Sequence, residues 1–404
     1  MATSIDVASI QGWETIEAEL PEDFEALAKE HKVLETQYGE AKIASARDLL
    51  RLILLHAGAD LPLRQTVSMM AQAEGPEVSH VTLHKKMRLA SPFLKALVAR
   101  LTQGGGNDAA PERWAGYEAV AVDGSSFCGT RADTTDARVH LQLRLSDLEI
   151  LDAIMEGRTV GESFKRFTWR PGQLALGDRG YSNPPGIASV VEQGADVLVR
   201  VNRVALPMST PDGEPVALMT WLRTLKGHGP RERSVVIYSR EHERKIKGRL
   251  IAVRLPAAEA EKARARVHRD LGNKATRLDL EVAQYVVLFT TVPSSRMPTE
   301  MCLALYRLRW QVELAFKRWK SLCHFDRLPN YRDDTILSWL YAKLLLALVL
   351  HRIASGASSL FPPEAQESSD AMVLDAMARR QHRVAHSRRR PASAQLGRYD
   401  QMSP

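Results

Sequence analysis

Cysteine is scarce: 404 residues carry three, Cys128, Cys302 and Cys323. They are too few and too scattered for a disulfide framework or a thiolate zinc site. The opening stretch MATSIDVASIQGWETIEAEL lacks the basic and apolar regions of a signal peptide. A long apolar run is missing too. The nearest, Ile336 to Leu350, is short for a bilayer span and contains Lys343, so it reads as a buried helix. Histidines and methionines show no ligand spacing, and no internal repeat is visible. These absences exclude a secreted disulfide scaffold and a membrane protein, and imply a cytoplasmic chain.

What is present is an ordinary globular composition, 45% hydrophobic and 25% charged, at a length that predicts two or three domains of ~150 residues each. Fifty-five Lys and Arg against 48 Asp and Glu leave a formal charge of +7, a lean toward a polyanionic partner.

Residues 1–103 read as a helical N-terminal domain. Ala46 to His56 is an amphipathic helix that stops at Gly58, and a short helix from Leu63 to about Gln72 precedes a turn and a second helix capped by Ser79. The second helix offers Thr82, Lys85, Lys86 and Arg88, which outlines a helix-turn-helix; a helical hairpin with a solvated basic face is the alternative. After a Gly/Ala/Pro-rich linker, residues 112–202 change to β patterning. Tyr117–Val122 is a strand, Arg138–Leu145 and Leu148–Ile154 a hairpin, and Glu162–Trp169 a helix. Strand Gln173–Leu176, helix Pro184–Gln193 and strand Asp196–Asn202 follow. A charged, β-rich insertion at 203–282 interrupts this pattern. It resumes at 283–355 with Tyr285–Thr290, a long helix from about Pro298 to Ser321, and the apolar helix. Hairpin strands followed by alternating helix and strand predict an α/β fold, a mixed sheet covered by helices. Residues 356–404, with six arginines between Arg379 and Arg390, read as a disordered basic tail.

Two aspartates follow apolar strands beside glycine: Asp123 in VAVDGSSF and Asp178 in LALGDRGYSN. Open sheets present functional groups at strand ends, although aspartate there is also a common turn former. On the long helix, Tyr306, Arg309, Glu313 and Lys320 fall within one stripe about 60° wide at about 100° per residue. Leu305, Leu308, Val312, Phe316 and Trp319 take the neighbouring face, suited to packing on the sheet. An exposed ion-paired face would show the same spacing. So would a phosphodiester-processing site, which needs an acid for metal beside donors for phosphate oxygens.

The pattern Tyr-x2-Arg-x3-Glu-x6-Lys, formed by Tyr306, Arg309, Glu313 and Lys320, resembles the signature of insertion-sequence family four transposases of the DDE class. The stretches around Asp178 and Asp123 resemble that family's second and first aspartate motifs. Fifty-five residues separate the aspartates and 135 separate Asp178 from Glu313, which leaves room for the family's β-rich insertion. The resemblance covers roughly residues 115 to 355 and implies an RNase H-like core. In it Asp123, Asp178 and Glu313 would be catalytic and would bind two divalent ions, Mg2+ or in its place Mn2+. Tyr306, Arg309 and Lys320 would hold DNA phosphates. Arg179 would be a further DNA contact, and Tyr285 stands on the strand where relatives that excise through a DNA hairpin carry a base-stacking tryptophan; it either stacks on a base or packs as a core or sheet-face aromatic, the second being the favoured reading. The implied partners are double-stranded DNA (terminal inverted repeats and target) and a second copy of the chain on that DNA, in a bacterial nucleoid-associated setting. The expected activity is cleavage at the element's ends and joining to target DNA. The alternatives are a catalytically silent or domesticated DNA-binding regulator, and a nuclease that never joins strands.

Overall fold

Caps and apolar stripes set the N-terminal helices. These are α1 (Ile10–Glu17), α2 (Phe24–Glu30), α3 (Ala46–Gly58), α4 (Leu63–Gln72) and α5 (His80–Gln103). The computed structural model describes residues 10–36, 42–103, 113–127, 137–157, 160–325 and 333–358. Cys128, most of the expected linker and all but the first residues of the expected basic tail lie outside these. The chain divides into a compact unit of residues 1–352 and a second unit of 353–404, of which only the end of the last helix is described.

Ser45 accepts the Asp48 amide at the start of α3, and Ser79 accepts the Thr82 amide at the start of α5, where its sequence position predicts a cap. Along α5, Leu83, Met87, Ala90, Leu94 and Leu97 recur at helical spacing and are buried.

The elements that follow are β1 (Glu118–Phe127), β2 (Ala137–Arg144), β3 (Ile150–Gly157), β4 (Gln173–Gly177), α6 (Pro184–Glu192), β5 (Asp196–Arg200), β6 (Met208–Ser209), α7 (Leu218–Arg223), β7 (Arg231–Ser239) and β8 (Arg244–Arg254). Then come α8 (Ala257–Leu271), α9 (Arg277–Val282), β9 (Tyr285–Thr290), α10 (Thr299–Leu308), α11 (Trp310–Leu322) and α12 (Asp333–Ser358). The described strands form one sheet in the order β3-β2-β1-β4-β5-β9-β8-β7-β6. β1, β4 and β5 run parallel, and the remaining pairs are antiparallel. This is an RNase H-like mixed sheet flanked by helices, with a helical segment before it. From the 203–282 segment, β8 pairs with β9 and β7 pairs with β8, so both extend the same sheet.

Alternation along the strands gives the sheet two apolar faces. Val120, Val122, Val197, Val199 and Phe289 share a core with Phe164, Trp169, Tyr181 and Ile187 of α6. The intervening residues Ala119, Ala121, Leu141, Leu176 and Leu198 are equally buried, and on that side α10 packs on β5 while α11 packs on β1 and β2.

The structure departs from the predicted elements in two informative places. Glu162–Trp169 is not a helix but a single 3-10 turn at Phe164–Arg166 within extended chain. In a helix, Trp169 would lie about 140° around from Phe164; here both rings bury together, edge to face at 5.8 Å. The long helix from 298 is likewise interrupted. It breaks at Arg309 into α10 and α11, with tightened i,i+3 bonds from the Arg309 amide to Tyr306 and from the Val312 amide to Arg309.

α12 is long and apolar enough to cross a membrane, yet 72% of its apolar window is buried inside the protein. Lys343 at its centre is fully buried, bonding Asp60 at 2.5 Å and the Cys323 carbonyl at 2.7 Å. It is a core helix, as Lys343 in its sequence predicts.

Candidate active site

Sheet register assembles the site. The parallel β1–β4 ladder pairs Ala121 with Leu176, and the β4–β5 ladder pairs Gly177 with Val199. Continued by one or two residues, these registers set Asp123, Asp178 and Arg200 side by side across the sheet, where the parallel strands end. Asp178 lies just beyond β4, as its sequence predicts. Asp123 does not end its strand: β1 runs on to Phe127, and Asp123 pairs with Leu141 of β2. The functional edge is therefore the end of the β1–β4 ladder rather than the end of β1.

Glu313 comes from the other layer, on the first turn of α11 over β1. Its carboxylate is ion-paired with Arg309. Asp123 feels the whole group. Burial pushes its carboxyl up to about 7, with the negative charges of Asp178 and Glu313 adding to the rise, while Arg309 and the Gly124 amide, bonded at 2.9 Å, oppose it. Asp178 accepts the Gly180 amide at 2.8 Å, which closes the Asp-Arg-Gly turn.

Around these acids stands a cationic group. The Arg309 guanidinium lies 5.8 Å from the Tyr306 ring centre. Burial opposes the charge of Arg309, but Tyr306, Glu313 and Asp123 together hold it firmly protonated. Burial also raises the Tyr306 phenol, against the pull of Arg309 and Arg200. Burial and then the neighbouring Arg200 cation push Arg179 down. Nε of Arg179, Nε of Arg200, and Nε and Nη1 of Arg309 are all buried without a hydrogen-bond partner among the described residues. Clustered guanidiniums with unused donors can grip an anion.

Arg200 is the residue that the sequence reading passes over. It ends the buried strand DVLVR, and only the parallel pairing of β5 with β4 reveals that it stands level with Asp178. Lys320, in contrast, is half-buried in the last turn of α11, about 10 Å along the helix from Glu313 at 1.5 Å per residue. It makes no ion pair among the described residues.

The remaining candidates lie elsewhere. Lys86 faces inward, its ammonium donating to the carbonyls of Val33 at 2.9 Å and Glu35 at 2.8 Å. It joins α5 to the segment after α2 and does not belong to an exposed basic face. Lys85 and Arg88 are exposed, and Thr82 is half-buried in the first turn of α5. Tyr285 is 6% exposed within the main core cluster and is a packing residue, closed to a stacking base.

Three carboxylates supply hard oxygen donors, which suit divalent metal in chemistry. As the side chains stand, no group of three among the described residues is close enough to hold an ion. Glu313 is turned to Arg309, its ion-pair partner.

Residues 103–350 match the family model described as the transposase DDE domain. The chain is 29% identical over 370 residues to the transposase for insertion sequence element IS421 of Escherichia coli, a match spanning 89% of this chain and 98% of that protein. It is 28% identical over 369 residues to InsL of insertion sequence element IS186A from Escherichia coli strain K12, with the same coverage. A shorter match, 35% over 104 residues, covers 24% of this chain and 21% of the transposase for IS231F of Bacillus thuringiensis subsp. israelensis. With more than half its length matched by that model, and the RNase H-like sheet carrying acids at its parallel strand ends, the chain belongs to the DDE-domain transposases, enzymes that act on DNA.

Proposed function

We propose that the protein is a transposase of the insertion-sequence family four type, which binds its element's terminal inverted repeats, cleaves there, and joins the ends to target DNA. The observation that carries this reading is the alignment of Asp123 with Asp178 across the parallel ladder, faced by Glu313 on α11. In this reading the three carboxylates are the catalytic ligands of two Mg2+ ions, which Mn2+ can replace. The bound ions would supply Lewis-acid activation of the attacking oxygen and stabilisation of the leaving 3′ oxygen.

The chain's own part is positioning. Arg309, Arg179 and Arg200 offer unused N–H donors to phosphate oxygens beside Asp178. A phosphate taken by Arg309 competes with Glu313 for the same guanidinium, so DNA binding frees Glu313 to turn toward Asp123. Tyr306 walls the phosphate site, and Lys320 meets the backbone farther along. These contacts set register without reading sequence. Reading of the repeats falls to α5, through Thr82, Lys85 and Arg88. Cleavage at both ends calls for two copies of the chain on the DNA.

The test uses the full chain, Mg2+ and DNA ending in the element's own repeats. Asp123→Ala, Asp178→Ala and Glu313→Ala should each abolish cleavage while leaving end binding largely intact. Cleavage that survives one of these substitutions removes that residue from the site. Binding without cleavage by the wild type would favour the regulator, and cleavage without joining would favour the nuclease.

A further inference from the structure

The 203–282 insertion extends the sheet with β7 and β8, and its helices gather three arginines away from that packing. Arg223 of α7, Arg264 of α8 and Arg277 of α9 line an open pocket of about 780 Å3, with Leu278 and Leu280 supplying apolar wall. Glu281 is the single carboxylate in this lining, and it takes Arg223 through both oxygens, at 2.7 and 2.8 Å. Arg264 pairs only with Glu261 at 3.2 Å, on a side chain 80% exposed, and such a surface pair holds it weakly. Arg277 is exposed and makes no hydrogen bond or ion pair among the described residues. Three guanidiniums against one carboxylate leave the pocket at a formal +2. Guanidinium forks suit phosphate oxygens, and the leucines suit the apolar faces of a deoxyribose.

The pocket is tied to the active site through α9. Thr276 and Asp279 close a capping box at the start of that helix. Arg203, three residues beyond the end of β5, donates to Asp279 at 3.0 Å. Arg179, at the Asp178 turn, feels the charge of Asp279 as well. Asp279 therefore faces the active-site arginines, while Glu281, about 200° farther round the helix, faces the pocket. A helix with its side chains is ~10–12 Å across, which is the rise of about three nucleotides of one strand at ~3.4 Å each. Because α9 is already pinned, the pocket needs little reordering to bind.

We propose that this pocket is a second phosphate site, which holds the backbone of element-end DNA about three nucleotides from the bond that is cut. Glu281 occupies Arg223 in the free protein and yields it to the phosphate. Two phosphate contacts on rigid elements, one at the active-site arginines and one here, fix the direction in which the strand enters the site. The proposal rests on the end-binding reading above and adds a contact on the insertion to it.

The test is binding of the full-length protein to an element-end duplex across a salt series, beside an unrelated duplex of equal length. Arg264→Ala and Arg277→Ala should each weaken end binding several-fold and lower the salt slope by about one. Glu281→Gln should tighten it, because Arg223 is released, whereas a purely structural role predicts a loss. Single uncharged methylphosphonates in the end duplex then locate the contact. One position, about three nucleotides from the scissile bond, should cost the wild type as much as Arg277→Ala does and cost that variant nothing more. Wild-type affinity and slope in both arginine variants, or a scan in which Arg277→Ala silences no position, overturns the pocket. Equal weakening of the unrelated duplex overturns its assignment to the element end. If the wild type does not prefer the end duplex at all, the end-binding reading fails and this inference with it.

Discussion

Asp123→Asn should make the DNA-free protein more stable, and by more at pH 8 than at pH 5. The folded state lifts this carboxyl from its ordinary 3.8 to about 7. Between those values the folded protein binds the proton more tightly than the unfolded chain, so this group's contribution to stability falls as pH rises through the window. At 1.36 kcal/mol per unit, ionising Asp123 in the fold costs about 4 kcal/mol at pH 8. At pH 5 the folded carboxyl is still protonated, and the cost is about 2 kcal/mol. Asparagine carries no charge at either pH and escapes both. Urea unfolding of wild type and Asp123→Asn at the two pH values measures the difference, and circular dichroism is a sufficient probe. Mg2+ should narrow the gap at pH 8, because it stabilises only the protein that can bind it. An equal gain at both pH values, or a loss at pH 8, would refute the burial and like-charge argument from which the magnitude is worked.

Three further outcomes follow from side chains already placed. Lys343→Ala leaves Asp60 and the Cys323 carbonyl without their buried partner and should cost about 3–5 kcal/mol in urea unfolding, far more than an exposed lysine. Lys86→Ala should lower stability with little change in the salt dependence of DNA binding, whereas Lys85→Ala and Arg88→Ala should flatten that salt slope; the reverse pattern would put Lys86 on the DNA. Tyr285→Phe should leave end cleavage unchanged while Tyr285→Ala destabilises by about 3 kcal/mol or more, and a cleavage defect in Tyr285→Phe would return it to the site.

Much of the site is legible in sequence because its residues sit where local pattern and chemistry coincide. Asp178 follows a short apolar strand and precedes Arg-Gly, and Glu313 shares its spacing with Tyr306 and Arg309. What the one-dimensional pattern hides is pairing. Arg200 ends a strand more than twenty residues after Asp178, and only the β4–β5 register brings them level. The chain around Phe164 is hidden differently: Phe164, Phe167 and Trp169 have a helix-like density of apolar residues, yet extended chain with a single 3-10 turn buries all three. Lys86 could have been placed correctly, because it lies between Leu83 and Ala90 on the apolar stripe of α5. The uniform 100° wheel also fails locally. Arg309 tightens the backbone between α10 and α11, so Tyr306 and Glu313 meet across a break and not along one helix.

The claim that these acids hold metal against the scissile phosphate is tested most directly by sulfur substitution. Element-end DNA with a phosphorothioate at the cleaved bond should be cut poorly in Mg2+, which binds sulfur weakly, and should recover in Mn2+. That recovery should be absent in Asp178→Asn. Equal cleavage of the oxygen and sulfur substrates in Mg2+, or cleavage that persists in chelator, would contradict the account.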